Sequence, residues 1–381
     1  MPENSRLWIT KAETAAREVL STHAHNVDTQ SRWPEESLAA LGASGLLGLT
    51  IPSRLGGAGE GPQTFATVTR ILAENCASTA MIYLMHTCGI QVIASSESEL
   101  RETVLQDAAN GRHLSTLSFS EKGSRSNFWA PVSQAVNSGS SQHLSAEKSF
   151  VTSAGHADSY IVSTKAAGSS DPMALTLYLV SKQAAGLSIG TRWNGLGLRG
   201  NASSPMRLEA VPIPSHCRLS KEGEGFALMM SAALPWFQVG STAVSVGIAR
   251  AAVESTRQHL LGASLEHLGQ SLASLPNLRA RLAQMQVIVD TQQAFLDFAA
   301  NQMANPNQNT LLTLLECKAA AGEAAMQVTD LAMRACGGSA FNRSLGVERL
   351  FRDARAGAIM APTTDVLYEF IGRTLLGMPL F

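Results

Sequence analysis

The hydrophobic period of this chain changes twice, and no other feature restricts its fold as much. From the start to about residue 113, apolar residues recur at steps of three and four, as in Leu7, Ile9 and the run Ala12 to Leu20. That is the pattern of amphipathic helices. Trp33-Pro34 precedes Glu35 to Leu41, and proline near a helix start loses an N–H that had no partner there. Two further helices are expected over Gln63 to Asn75 and Ser78 to Ala94. The second is apolar nearly all round, which predicts burial.

From residue 114 to 218 the period falls to two. Short runs such as His113 to Phe119, Val132 to Val136, His143 to Ala146, Ser149 to Thr152, Tyr160 to Thr164, Ala174 to Val180, Leu187 to Thr191 and Met206 to Val211 alternate between glycine, serine, proline and asparagine. They predict an all-β sheet or barrel module of roughly seven or eight strands. Helical spacing then returns over Glu224 to Leu261, Leu275 to Asn301, Thr310 to Ala335 and Val366 to Leu376, the makings of an up-and-down four-helix bundle. Pro235 should kink or divide the first of these. The fold class expected is α+β, with an N-terminal helical domain (1–113), a middle β domain (114–218) and a C-terminal bundle (219–381).

A chain of 381 residues is long for one core and suits two or three domains. A net charge of −1 gives no electrostatic pull toward nucleic acid or an anionic membrane. No run of about 20 apolar residues predicts a membrane span, and the first residues lack the basic-then-apolar order of a signal peptide. The five cysteines are odd in number and widely spaced, without zinc-type spacing. They are expected to be buried free thiols in a reducing cytoplasm, with no metal.

The stretch Arg334 to Gly377 carries the densest information. A helix should stop at Gly337-Gly338. Glu348 and Arg352 are spaced to pair along a helix. The turn Ala361-Pro362-Thr363-Thr364-Asp365 leads into the last apolar helix, with a threonine cap and an acid at its positive end.

The GG-x-x-[YF] turn here, the ERLFRDAR block and the short turn before the last helix resemble the acyl-CoA dehydrogenase family. So do LGASGLLGLTIPSRLGGAG and the helix–strand–helix order from about residue 30 onward. The resemblance implies FAD (or FMN) and α,β-dehydrogenation of an acyl thioester such as an acyl-CoA. It also implies an electron-transfer flavoprotein or oxygen as electron acceptor, and a homodimer or homotetramer. The loop Leu117 to Asn127 is similar to the family's flavin loop, with Ser120 and Ser126 at its hydroxyl positions. Short hydroxyls can read the donors and acceptors along an isoalloxazine edge without crowding it. Lys148 to Gly155 resembles the segment whose aromatic, here Phe150, lies against the ring and whose threonine, here Thr152, bonds it. Arg334, Gly338, Thr363 and Asp365 match positions along the family's FAD path. Leu265 stands where an arginine usually reaches the pyrophosphate, and Arg334 is a candidate to compensate.

For substrate, the resemblance points to Trp236 and Gln238 in the segment Leu234 to Gln238. His86 reads either as a satisfied core histidine or as a substrate contact. TRWNGLGLRGNASS is read as a structural strand-turn. Ala361 occupies the place of the family's catalytic glutamate, so the catalytic residue is left unassigned. Asp365 is a candidate substitute base, and Glu369 is expected to face solvent or a helix partner. Relatives without that glutamate include flavin monooxygenases and desulfinase-like enzymes. These stand as the alternative activity, and a flavin-binding scaffold stands as the non-enzymatic one.

Overall fold

The computed structural model describes residues 3–125, 127–138, 141–171 and 173–381. A helical N-terminal part, a two-sheet middle and a helical C-terminal part follow one another. In the first part, Pro62–Asn75 begins on its proline and Ala77–Ala94 lies at the centre of the molecule. The second helix is apolar all round because it has neighbours all round: it packs on Pro62–Asn75, on the first strand and on the long C-terminal helix. Two helices, Ala77–Ala94 and Gly225–Gly262, are long and apolar enough to cross a membrane by composition. Counting uninterrupted apolar runs had missed both. Here 89% of each apolar window is buried inside the fold.

The middle part holds two sheets among the described residues. One has the order β1 (Ser115–Ser118), β4 (Ser159–Lys165), β5 (Leu175–Ser181), with β1 parallel to β4. The other has the order β2 (Ala135–Ser138), β3 (Ser141–Val151), β7 (Ser204–Ile213), β6 (Leu187–Ile189). Two of the expected short strands, His143 to Ala146 and Ser149 to Thr152, are one long strand, β3. Its register against β7 shifts between Lys148 and Val151, and a bulge of this kind re-aims side chains.

In the C-terminal part, the chain from Gly225 to Gly262 is helical throughout. Pro235 neither divides nor ends it: a π-turn over Met229–Ala233 precedes Leu234–Gly262 and absorbs the missing N–H. Close packing against the N-terminal part depends on Gly240, where a Cβ would sit 2.2 Å from Leu84 Cδ1. Pro276–Ala304 and Thr310–Cys336 complete the long helices, and the ERLFRDAR block forms a further helix, Val347–Ile359, before Thr364–Leu375.

Arg352 pins the three parts together. It donates to both oxygens of Asp28 (2.9 and 2.6 Å), to Glu348 (2.7 and 3.1 Å) and to the Leu196 carbonyl (3.0 Å). The pair is largely withdrawn from water. Arg352→Ala is expected to cost about 1.5–3 kcal/mol, the range for hydrogen bonds to charged groups. A lowered urea midpoint at unchanged m-value is the check.

Candidate active site

The three parts meet around a cavity of 790 Å³, within the range of about 300–1,000 Å³ typical of ligand pockets. Its wall is asymmetric. Ser120, Ser149, Thr152, Asn201, Ser203 and Thr363 supply short polar groups, whereas Met85, Phe128, Leu234, Phe237, Met360 and Ala361 are apolar.

Each wall residue is placed by its local structure. Ser120 and Ser149 are held side by side because the Ser149 N–H donates to the Ser120 carbonyl at 2.9 Å. Phe150 falls on the β3 bulge, with φ +54° and 70% of its surface exposed. Left-handed backbone is costly for a bulky side chain, and here it turns the ring out of the sheet and toward the cavity, edge-on to Trp193 at 6.3 Å. The Thr152 hydroxyl lies 3.2 Å from that of Ser203. Thr363 caps the last helix by accepting from the Val366 N–H.

A carboxylate–ammonium pair braces this wall from inside. Lys148 Nζ donates to Glu121 Oε1 at 2.6 Å and to the Ser163 carbonyl, and both side chains are buried. Glu121 also accepts from the Val132 and Ser133 N–H groups at 2.6 and 2.8 Å. Burial raises its pKa, but the Lys148 ammonium and the Ser133 bonds outweigh that. They hold the carboxyl below the usual carboxylate range. Among the described residues Glu121 is the only carboxylate on the wall, and its oxygens are already engaged.

Of the residues assigned from sequence, Ser120, Phe150, Thr152 and Thr363 reach the cavity. Ser126 lies outside the described residues. Arg334, Gly338 and Asp365 do not line the cavity; they are exposed on the bundle. The Cβ of a residue at 338 would touch nothing. Trp236 and Gln238 are also displaced. Ala233, Leu234 and Phe237 share the helix face toward the cavity, because positions three and four apart align. That rotation turns Trp236 onto Phe65, 5.2 Å away, and buries Gln238 completely.

His86 is a core residue. It is fully buried, Nε2 pairs with the Leu47 carbonyl at 2.9 Å, and Nδ1 accepts the Ser115 N–H at 3.1 Å. Burial pushes its pKa down to about 4. The unfolded chain therefore takes up this proton first as pH falls. Stability should drop between pH 6.5 and 4, by about 3 kcal/mol from this group. His86→Gln should flatten that slope in acid unfolding curves.

Sequence reasoning missed Trp193, Asn201 and Ser203. All three lie in the strand-turn read as structural, yet all line the cavity. The tryptophan among glycines was the available signal.

The polar wall fits a flavin: hydroxyls and an amide suit the ring's hydrogen-bonding edge, and Phe150 and Trp193 offer aromatic surface to its flat faces. Comparison with known proteins agrees. The chain matches the N-terminal domain of acyl-CoA dehydrogenase over residues 2–112, the middle domain over 116–211 and the C-terminal domain over 223–376. It is 27% identical to cyclohex-1-ene-1-carbonyl-CoA dehydrogenase of Geobacter metallireducens, over 99% of each chain. Butyryl-CoA dehydrogenase from Megasphaera elsdenii superposes with a TM-score of 0.93, at 21% identity and 99% coverage of both chains. The FAD complex of PigA superposes at 0.90, with 20% identity and 98% coverage of both. With all three domain patterns present in order around one junctional cavity, the chain belongs to the acyl-CoA dehydrogenase family.

Proposed function

We propose that this protein is an FAD-dependent oxidoreductase that desaturates the two carbons next to the carbonyl of an acyl thioester, such as an acyl-CoA. The observation that carries the reading is the two-faced cavity where the three family domains meet. When bound, FAD supplies the acceptor for a hydride. Ser120, Thr152, Ser203 and Thr363 hold and orient it through their hydroxyls, and Phe150 with Trp193 covers it. Met85, Leu234, Phe237 and Met360 shape a dry channel for the acyl chain, and excluding water strengthens every polar contact inside it.

Among the described residues the cavity wall carries no free base. Ala361 forms the wall where the family carries its glutamate, and Glu121 is engaged with Lys148. Removal of the α-proton therefore depends on the substrate's own acidity or on solvent. Turnover of simple acyl-CoA should be slow, while thioesters with a more acidic α-carbon should reduce the flavin faster. Anaerobic mixing of the FAD-loaded protein with acyl-CoA tests this. Bleaching of the flavin absorbance supports the reading, and none with any thioester refutes it.

The missing base also favours a second reading, an oxygen-using flavin monooxygenase or a desulfinase-like enzyme, whose chemistry needs no α-proton abstraction. Rapid reoxidation in air after photoreduction supports that reading, and slow reoxidation supports dehydrogenation with an electron-transfer flavoprotein as acceptor. Phe341 and Leu376, 86% and 77% exposed on the bundle, support a homodimer or homotetramer; light scattering giving a monomer would refute it. The five free thiols support a cytoplasmic location.

A further inference from the structure

Lys318 lies inside helix Thr310–Cys336 with 1% of its surface exposed. A buried ammonium is costly unless it is compensated. Among the described residues no carboxylate stands within ion-pair distance of it. Instead Nζ donates to three backbone carbonyls, those of Gly357 (3.3 Å), Met360 (3.2 Å) and Pro362 (2.8 Å). These carbonyls run from the last turn of helix Val347–Ile359 into the turn before Thr364–Leu375, and Met360, Ala361 and Thr363 of that turn are cavity wall. Phe237, also on the wall, has its ring centroid 5.8 Å from Nζ. The ammonium thus lies against the backbone that carries the wall residues Met360, Ala361 and Thr363.

The helix packing lets it reach this place. Gly322 is one turn beyond Lys318 on the same face, and a Cβ there would sit 3.2 Å from the Gly357 carbonyl carbon. A Cβ at Gly357 would meet the Ser245 hydroxyl at 2.7 Å. Larger residues would separate the helices and pull the turn off the lysine. The groups that face Nζ, namely Phe237 from the long helix and the three carbonyls, are all neutral. Burial alone pushes the lysine's pKa down, to about 7.

We propose that Lys318 is a positioning residue of the active site: it holds the 357–362 turn from behind, and its charge makes the wall at Ala361 favour negative charge that builds up on a ligand in the cavity. Fixed charge in a dry site acts strongly because nothing has to reorganise when the ligand's charge appears. The electrostatic half rests on the flavin reading above.

The test compares wild type with Lys318→Met, which keeps the stem and removes the charge. Amide exchange across residues 357–366 should be about tenfold faster in the variant, a result that needs no flavin. In the FAD-loaded protein at pH 6 the variant should favour the reduced form about tenfold less. That is about 30 mV in a two-electron potential. The gap should close toward pH 8, where the wild-type lysine has lost its proton. A merely structural role would not produce that pH dependence. Equal potentials at pH 6 overturn the electrostatic half, and unchanged exchange overturns the strut. Should Lys318→Met fail to fold, Lys318→Gln takes its place. It retains a donor, so exchange should stay slow while the potential still falls. Wild-type protein that takes up no FAD sinks the flavin reading and the electrostatic half with it, and exchange alone still decides the strut.

Discussion

Ala361→Glu is expected to speed reduction of the bound flavin by a simple acyl-CoA by about 10²–10⁴-fold, the usual contribution of a positioned general base. The reason is geometric. Ala361 is on the cavity wall, in the turn held by Lys318, and its neighbours Met360, Ile359 and Phe237 are apolar. A carboxyl placed there would meet an apolar surface that raises its pKa, opposed by the Lys318 ammonium behind the turn, which favours the ionised form that takes the proton. The control is Ala361→Gln, which matches the size and hydrogen bonding but cannot take a proton. Stopped-flow bleaching under anaerobic conditions reads both. If glutamate does no better than glutamine, proton removal is not what limits this protein, and the oxygen-using reading gains.

The second large effect concerns the buried pair behind the flavin wall. Glu121→Gln should cost about 3–5 kcal/mol, because it leaves the Lys148 ammonium buried without its counter-charge. Lys148 is 1% and Glu121 4% exposed, so water cannot screen the loss. The same change frees the 119–125 loop, which carries Ser120, and FAD retention should fall with it. Removing both charges (Glu121→Leu with Lys148→Met) should recover most of the stability, since apolar replacements of buried pairs are often neutral. Urea unfolding of the single and double variants settles the comparison. The acid limb gives a further sign. Glu121's folded pKa lies below its unfolded value, so its contribution is complete above the unfolded pKa. It is lost as pH falls through the folded one. A double variant as unstable as the single one would show that packing around the pair matters and its charge does not.

Much of this was readable along the chain. The helix stop at Gly337, the Glu348–Arg352 pair at 2.7 Å and the Thr363 cap all appear where residue spacing put them. So does the loop bearing Ser120. His86 is the satisfied core histidine that was one of its two readings, whereas Trp236, Gln238, Arg334, Gly338 and Asp365 match family positions but lie off the wall of this cavity. Trp193, Asn201 and Ser203 were passed over because a glycine-rich turn looks like a connector until something folds against it.

The division has a physical basis. Period, caps and turn residues act over one to four positions, so the order helix, strand, helix and the ends of its elements follow from short-range sterics and hydrogen bonding. Membership of the cavity wall depends on how far the 225–262 helix is rotated against Ala77–Ala94, and on a one-residue bulge in β3. Those are set by contacts between residues far apart in the chain, such as Gly240 against Leu84 and Lys148 against Glu121. That is why Phe237 faces the cavity while its neighbour Gln238 is packed away from it.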